Sequence, residues 1–214
     1  MTHRFAEITF TDGVKAVQER YRSRAQNERL LAQGGPRDAL GPAEVEFIAA
    51  RDSFYIATVG ETGWPYVQHR GGPAGFVKVL GPKTIAYADF RGNTQLISAG
   101  NAAGNDRVSL ILMDYANRRR LKILGRIRFE DASRAAEDVR TVVELPGYRA
   151  RVERVALIEV EAFDWNCPQH ITPRYTEAEV RAAVAPLHER IVELEARLAA
   201  AVATGAEPAA DRAS

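Results

Sequence analysis

Seven short stretches rich in β-branched and aromatic residues lie between residues 53 and 163, and they limit the fold more than any other feature. The spacing predicts strands at 54–59, 65–70, 75–79, 84–88, 107–114, 119–130 and 152–163. Turn sequences such as Gly60-Glu61-Thr62-Gly63 and Leu80-Gly81-Pro82-Lys83 separate neighbouring strands. Short strands joined by such turns are typical of an antiparallel β-barrel, not of a doubly wound parallel sheet. We therefore expect a mainly β protein with flanking helices.

Helices are predicted around these strands. An amphipathic helix at 13–31 would form an N-terminal arm, which ends at the breaker run Gln33-Gly34-Gly35-Pro36. A second helix begins at Gly41-Pro42, because proline suits the first helical position. Two further helices are predicted at 94–99 and 133–143.

The C-terminal region carries a heptad pattern. Apolar residues recur at alternating steps of four and three, at Val180, Val184, Leu187, Ile191, Leu194 and Leu198. We call these six residues the C-terminal seam, and such a seam needs a partner helix or a groove. Pro186 interrupts it and predicts a kink or a restart of the helix. The predicted organisation is an N-terminal helical arm at 1–40, an antiparallel barrel domain at 41–164, a C-terminal loop and helix at 165–203 and a flexible tail at 204–214.

Composition narrows the classes of partner and compartment. The net charge of +1 gives no broad positive field, so nothing indicates nucleic acid as a partner. The single cysteine, Cys167, excludes an internal disulfide and fits a reducing compartment. The first ten residues carry charges, and no run approaches the roughly 18 apolar residues of a membrane span. We therefore expect a cytoplasmic protein without a secretion signal or a membrane segment.

Two strand ends that contain glycine carry the residues best suited to a ligand. The first is 64–73, Trp-Pro-Tyr-Val-Gln-His-Arg-Gly-Gly-Pro, where glycine lets backbone N–H groups approach a ligand and the arginine suits phosphate. The second is Arg91-Gly92-Asn93-Thr94, at the start of the predicted helix 94–99, where free amides and the helix dipole would meet an arginine. This pattern predicts an anion site, with a simple turn capped by Asn93 as the alternative.

Five segments also follow one another in a characteristic order. They are a helix leading into Phe-Tyr-Ile-Ala-Thr-Val at 54–59, Gly-Trp-Pro-Tyr-Val-Gln at 63–68, Tyr-Ala-Asp-Phe-Arg-Gly-Asn at 87–93, Asn-Asp-Arg-Val-Ser-Leu at 105–110 and Leu-Lys-Ile-Leu-Gly-Arg at 121–126. In this order, residues 47–129 resemble the flavin-nucleotide-binding proteins related to pyridoxamine 5'-phosphate oxidase, whose fold is the split barrel. The segment 165–174, Trp-Asn-Cys-Pro-Gln-His-Ile-Thr-Pro-Arg, resembles the C-terminal element of an uncharacterised branch of that family.

The resemblance implies a homodimer with FMN bound at the subunit interface. Contacts to the cofactor then fall on the strand after the first hairpin, on the next strand end, on one position of a later strand and near the mouth of the pocket. The cofactor-binding residues predicted in this way are Gln68, His69, Arg70, Gly71, Ala88, Asp89, Arg91, Gly92, Asn93, Thr94, Arg120, Gln169 and His170. The implied function is that of an FMN-dependent oxidoreductase acting on a small molecule. Its catalytic side chains stay unassigned, because a flavin carries out hydride and electron transfer itself.

One segment departs from the oxidase pattern. Where the authentic oxidase has Arg-x-Val-Leu-Leu-Lys, this chain has Gln-His-Arg-Gly-Gly-Pro at 68–73, so the identity of the substrate does not transfer. Two alternatives stand beside the enzyme: a non-enzymatic flavin-binding or sensing module, and a split barrel that uses deazaflavin or haem. A metal set of Cys167, His170 and His69 lacks a second ligand pair, and no metal is predicted.

Overall fold

The computed structural model describes residues 3–165 and 168–204. The chain divides into two compact units, Met1–Ile171 and Thr172–Ser214. Within the described residues, the first unit contains seven strands and six helices, and the second contains one long helix. Of the tail predicted at 204–214, residues 205–214 lie outside the described residues.

The strands form one antiparallel sheet. They are β1 (Ser53–Val59), β2 (Pro65–Gly71), β3 (Val77–Gly81), β4 (Thr84–Phe90), β5 (Arg107–Asp114), β6 (Arg119–Asp131) and β7 (Val152–Trp165). Their order across the sheet is β2-β1-β5-β6-β7-β4-β3, and every neighbouring pair is antiparallel. The predicted antiparallel, mainly β fold with flanking helices is confirmed. The strand predicted at 75–79 lies two residues further along the chain, and the last strand continues two residues beyond 163.

One face of the sheet encloses the core. Phe54 and Ile56 of β1 lie on the same side because residues two apart share a face of a strand, and both are almost completely buried. They belong to a cluster with buried side chains of the neighbouring strands, among them Leu110, Leu112, Leu121 and Ile123. Burying one such side chain contributes about 1.5–3 kcal/mol, so this cluster is a principal source of stability.

The sheet curls until its two sides meet. Strand β2 forms one edge of the sheet, and β4 lies next to the opposite edge strand. In a flat sheet, five strand spacings of about 4.8 Å would separate β2 from β4. Instead, Nη1 of Arg70 on β2 lies 2.5 Å from Oδ1 of Asp89 on β4, and the rings of Phe54 and Tyr87 have centroids 5.2 Å apart. The sheet therefore closes around the core as a barrel does.

Helices α4 (Pro42–Ala49) and α5 (Ile97–Gly104) lie at opposite ends of β1. Beyond the α4 end, the Arg51 guanidinium donates a hydrogen bond to a backbone carbonyl of β5 at 3.0 Å. At the other end, Nδ2 of Asn101 on α5 donates to the hydroxyl of Thr58 at 2.9 Å. The helix predicted to begin at Gly41-Pro42 is confirmed, with proline at its first position.

Helix α6 (Glu137–Val143) covers the outer side of β4 and β7. Its last residue, Val143, is buried in a second apolar cluster that also contains Ala88 of β4. The helix begins at Glu137, four residues after the predicted start at 133. Turns precede it, in which the N–H groups of Arg134 and Ala135 donate to the Asp131 carbonyl. These turns bring Ala135 into the same cluster.

The N-terminal arm contains three short helices instead of one. They are α1 (Arg4–Thr9), α2 (Asp12–Arg20) and α3 (Arg24–Gln33). Arg22 has a left-handed backbone with φ of 57°, and the N–H of Ser23 donates to the Gln18 carbonyl, as in a Schellman termination. The prediction of one helix at 13–31 was wrong because glycine usually marks this termination, and the sequence has none there.

The second unit contains helix α7 (Glu177–Ala203). Thr176 and Glu179 form a capping box, in which the Thr176 hydroxyl accepts from the Glu179 N–H and the Glu179 carboxylate accepts from the Thr176 N–H. The helix continues through Pro186 and does not restart there. In the described part of the chain, no helix combines the length and the apolar character that crossing a bilayer requires.

Gly125 of β6 is expected to tolerate no side chain. The pairing of β6 with β7 shifts register at this residue, and a Cβ there would lie 2.5 Å from the carbonyl oxygen of Glu159. Because that oxygen belongs to the backbone of a central strand, we expect Gly125→Ala to lower the free energy of unfolding by about 1–3 kcal/mol. Urea unfolding would measure the loss. The control is Gly81→Ala, since a Cβ at Gly81 has no neighbouring atom within 4 Å, and equal losses in the two variants would contradict the prediction.

Candidate functional site

Three strands and one loop surround a cleft at the ends of β2 and β4. The cleft encloses about 190 Å³. It is lined by Tyr66, Gln68 and Arg70 of β2, Asp89 and Phe90 of β4, Glu153 and Arg154 of β7, and residues 92–99. The three β2 residues face the cleft together because they are two positions apart along the strand.

A buried carboxylate holds two arginines in this cleft. Asp89 is 1% exposed, and its Oδ1 accepts a hydrogen bond from Nη1 of Arg70 at 2.5 Å. Its Oδ2 accepts from Nε and Nη2 of Arg154, at 2.9 and 2.7 Å. We call these three residues the arginine–aspartate cluster. Two positive charges and one negative charge leave the cluster with a net charge of +1.

The arginines keep donors that Asp89 does not use. A guanidinium carries five N–H groups, of which the carboxylate takes one from Arg70 and two from Arg154. Among the described residues, the buried Nε of Arg70 has no hydrogen-bond partner. Asp89 therefore fixes both guanidiniums in position while leaving N–H groups for another acceptor.

Tyr87 lies behind Arg70, on the core side of the cleft. Its ring centroid is 6.0 Å from the Arg70 guanidinium carbon, and the residue is 1% exposed. Burial raises the pKa of the Tyr87 hydroxyl well above its ordinary value, since the phenolate would lose its hydration. The hydroxyl is therefore protonated at physiological pH. In the described part of the chain it has no hydrogen-bond partner.

The loop between β4 and α5 forms the other wall of the cleft. Thr94 and Leu96 both have left-handed backbones, with φ of 60° and 56°. A helix cannot include residues in this conformation, so α5 begins at Ile97, and the helix predicted at 94–99 is wrong in its start and its end. The first turn of α5 borders the cleft without a side-chain cap. Its first N–H groups lack acceptors within the helix and remain donors for a ligand.

Hydrogen bonds hold α5 against β1 and β2. The hydroxyl of Ser98, which is 1% exposed, donates to Oε1 of Gln68 at 2.8 Å. Because Asn101 also bonds Thr58 on β1, two side chains of the helix are attached to two strands. The first turn of α5 is thereby held in place beside the arginine–aspartate cluster.

The structure brings some of the predicted cofactor-binding residues together and separates others. Those that line the cleft are Gln68, Arg70, Asp89, Gly92, Asn93 and Thr94. Those outside it are His69, Gly71, Ala88, Arg91, Arg120, Gln169 and His170. The second group divides further by position.

Two of these residues are close to the cleft along the chain but do not line it. Ala88 lies on the opposite face of β4 from Asp89, in the cluster under α6. The Arg91 side chain is 58% exposed, and its Nε lies 3.6 Å from Oε1 of Glu153. Arg91 therefore stands at the rim of the cleft, and Glu153 partly neutralises its charge.

His69 belongs to a different surface, which we call the outer face. It is the side of β2, β1, β5 and β6 that points away from the core. Strand register places four residues in one row across it: His69, Tyr55, Ile111 and Lys122. Tyr55 is 39% exposed and Val67, in the next row, is 62% exposed. Apolar side chains on this face thus remain in contact with solvent.

The remaining residues lie at strand ends. Gly71 ends β2 opposite Ser53. Arg120 lies near the start of β6, whereas the other end of that strand, Asp131, pairs with Arg154 of the cluster. Gln169 and His170 are exposed and follow the end of β7, which pairs with the start of β6. Within one chain, Arg120 is therefore remote from the cleft, and Gln169 and His170 do not line it.

Several residues of the cleft were not predicted from the sequence. They are Tyr66, Phe90, the segment 95–99, Glu153 and Arg154. The one local signal for Arg154 is a charged pair, Glu153-Arg154, directly before the apolar run at 155–158. That signal names no partner, because the pairing of Arg154 with Asp89 depends on the register of β4 against β7.

No metal centre is found in the part of the chain that the structure describes. Among residues 3–165 and 168–204, no three His, Asp or Glu side chains are grouped to hold a metal ion. Cys167, which the weaker metal hypothesis included, lies outside the described residues.

Comparison with known proteins defines the class. The family model described as pyridoxamine 5'-phosphate oxidase matches residues 40–166, which is more than half of the chain. Together with the curled antiparallel sheet, this match defines a split-barrel protein. The chain belongs to the pyridoxamine 5'-phosphate oxidase family. No curated protein matches it.

Solved structures with a similar fold come from several bacteria. HupZ from Group A Streptococcus is 14% identical, with 64% of this chain and 99% of that chain covered and a TM-score of 0.48. A putative pyridoxamine 5'-phosphate oxidase from Lactobacillus delbrueckii is 19% identical, with coverage of 59% and 93% and a TM-score of 0.45. The haem storage protein HutZ from Vibrio cholerae is 15% identical, with coverage of 59% and 94% and a TM-score of 0.36. At these identities no function passes from them to this chain.

Proposed function

We propose that this chain is a homodimeric FMN-binding oxidoreductase that acts on a small organic substrate. The observation that carries the proposal is the cleft that combines the arginine–aspartate cluster with the uncapped first turn of α5. A phosphate monoester needs positive charge and several N–H donors that converge on one place. The cleft supplies both the positive charge and the N–H donors, and the chain belongs to the pyridoxamine 5'-phosphate oxidase family.

The donors of the cleft fit a phosphate group. Arg70 and Arg154 are held by Asp89 and keep unused N–H groups, and the cluster has a net positive charge. The first amides of α5 add donors and the positive end of a helix dipole. We therefore assign the phosphate of FMN to Arg70, Arg154 and the start of α5.

The size of the cleft supports a second subunit. Pockets for small molecules usually enclose about 300–1,000 Å³, whereas this cleft encloses about 190 Å³. It suffices for a phosphate and a short polar chain, but a three-ring flavin needs a further wall. A second copy of the chain would supply that wall.

The outer face is the surface that suits this second copy. Sheets bury their apolar faces against another layer, yet Tyr55 and Val67 are 39% and 62% exposed. The same face carries His69, Lys122 and, opposite Met113, Arg120. In a symmetric dimer, these residues of one copy would approach the cleft of the other, which would account for the predicted cofactor-binding residues His69 and Arg120 that do not line the cleft within one chain.

When bound, FMN supplies the hydride and electron transfer chemistry. The residues of this chain then bind and orient it: Arg70 and Arg154 hold the phosphate, and Asp89 keeps both guanidiniums in place. The positive charges of Arg120 and Lys122 would favour negative charge on a ligand at the outer face. The substrate is a small molecule of unassigned identity, because residues 68–73 differ from the basic segment of the authentic oxidase.

The test is the visible absorbance spectrum of the purified protein, with mass analysis of the compound that heat releases. We expect the spectrum of an oxidised flavin and the mass of FMN. A deazaflavin or haem spectrum would refute FMN and keep a cofactor-binding barrel, and a colourless protein that ignores added FMN would refute the proposal. Continuous oxidation of NAD(P)H by the loaded protein supports the enzyme. Its absence, across a panel of reductants and acceptors, would leave a flavin-binding or sensing module instead.

A further inference from the structure

Helix α7 exposes a continuous apolar stripe. None of its residues is buried, and the C-terminal seam is open to solvent, with Leu187 63%, Ile191 50%, Leu194 44% and Leu198 57% exposed. An apolar stripe on a helix normally packs against another surface, and a helix surrounded by water gains no stability from one. The seam therefore indicates a partner surface.

The residues of the seam specify the kind of partner. In a heptad written abcdefg, Val184, Ile191 and Leu198 occupy a positions, and Val180, Leu187 and Leu194 occupy d positions. Two of the three a residues are β-branched and two of the three d residues are leucine, and β-branched residues at a with leucine at d favour a parallel coiled coil of two strands. We propose that α7 pairs with α7 of a second copy of this chain as a parallel, in-register coiled coil through the C-terminal seam.

Charges beside the seam agree with this orientation. Arg190 occupies a g position and Glu195 the following e position, and these two positions face each other across a parallel dimer. Two symmetric Arg190–Glu195 pairs would form between the copies. In an antiparallel pair with the same seam, Arg190 would face Arg190 of the other copy. Among the described residues no ion pair includes Glu195, whereas Arg190 contacts Glu193 of its own helix at 2.5 Å.

Pro186 is compatible with the coiled coil. It occupies a c position, which points away from the seam, and the helix continues through it. The missing N–H leaves the carbonyl of Ala182 without its helical hydrogen bond, on the side that water reaches. The apolar contact surface is therefore intact across the proline.

The short seam explains why pairing needs the rest of the protein. Fewer than three heptads give a marginal coiled coil when the helix is free. The inference rests on the proposed homodimer in this respect: two copies already joined by their barrels would hold their α7 helices at a high effective concentration.

Cysteine cross-linking in the full chain tests the pairing. With the native Cys167 replaced by serine, Leu194→Cys places a thiol in the seam, and Ala196→Cys places one on the opposite side of the helix at an f position. We expect oxidation or a short bis-maleimide to give a covalent dimer several-fold more efficiently for Leu194→Cys. Equal yields, or none from Leu194→Cys, would overturn the proposal. A chain that sediments as a dimer but forms no seam cross-link would refute the coiled coil and keep the homodimer, whereas a monomer without a cross-link would refute both.

A charge exchange tests the orientation of the two helices. We expect Arg190→Glu and Glu195→Arg each to raise the dissociation constant of the dimer by about 2- to 30-fold, since each converts two attractive contacts into repulsive ones. The double variant should restore most of the affinity. This recovery cannot come from the contact within the helix, because the carboxylate introduced at position 190 would still repel Glu193. A double variant no tighter than the single ones would overturn the parallel register.

Discussion

Arg70→Gln is expected to weaken the binding of FMN by about 10- to 150-fold. A charge-assisted hydrogen bond to a phosphate contributes about 1.5–3 kcal/mol, and glutamine is polar but shorter than arginine and removes the charge. Arg70 is suited to this role because Asp89 takes one of its N–H groups and holds the guanidinium at the cleft. Titration of the apoprotein with FMN, followed by flavin fluorescence, measures the change.

The matched control is Arg91→Gln. Both residues are arginines beside the same cleft, but the Arg91 side chain is 58% exposed and lies 3.6 Å from Glu153. We expect its loss to change the affinity by less than about 5-fold, as for an exposed ion pair. If Arg91→Gln weakened FMN binding more than Arg70→Gln did, the phosphate would lie at the rim and not in the cluster. The unfolding temperature of each variant separates lost binding from lost folding.

Asp89→Ala is expected to lower the free energy of unfolding by about 3 kcal/mol. Removing one member of a buried ion pair leaves the other without compensation, which typically costs about 3–5 kcal/mol. The lower end applies here because the side chains of Arg70 and Arg154 remain 18% and 19% exposed, so water stabilises part of their charge. Urea unfolding of the apoprotein measures this loss without involving a ligand.

Two further variants isolate the cause of this loss. Asp89→Asn keeps the size of the side chain and removes only the charge, so most of the destabilisation should remain. Glu153→Gln removes a carboxylate that faces the exposed Arg91, and it should cost less than about 1 kcal/mol. Equal effects of Asp89→Ala and Glu153→Gln would contradict a central role for Asp89 in the cluster.

Local patterns were sufficient to predict the strands. Each strand carries its own signal, as in Phe-Tyr-Ile-Ala-Thr-Val at 54–59, and Pro42 marks the start of α4 in the same way. The starts of α5 and of the helices in the arm were not predictable by the same means. They depend on the left-handed backbones of Leu96 and Arg22, which are residues that seldom adopt this conformation.

The cleft was predictable only in part. Gln68, Arg70 and Asp89 belong to segments that stood out in the sequence, and the structure brings them together. Arg154 was missed although it makes two hydrogen bonds to Asp89, because 65 residues separate the two along the chain. Only the pairing of β4 with β7 makes them neighbours.

The sequence by itself determined the antiparallel, mainly β class, the family and the heptad pattern of α7, because these depend on the order and periodicity of residues. The tertiary structure alone decided which charged groups meet. Curling of the sheet brings Arg70 of one edge strand to Asp89 near the other edge, and strand register adds Arg154. The same register places His69 and Lys122 in one row on the outer face, away from the cleft. Contacts across the sheet depend on curvature and register, which the core as a whole sets and which no local segment encodes.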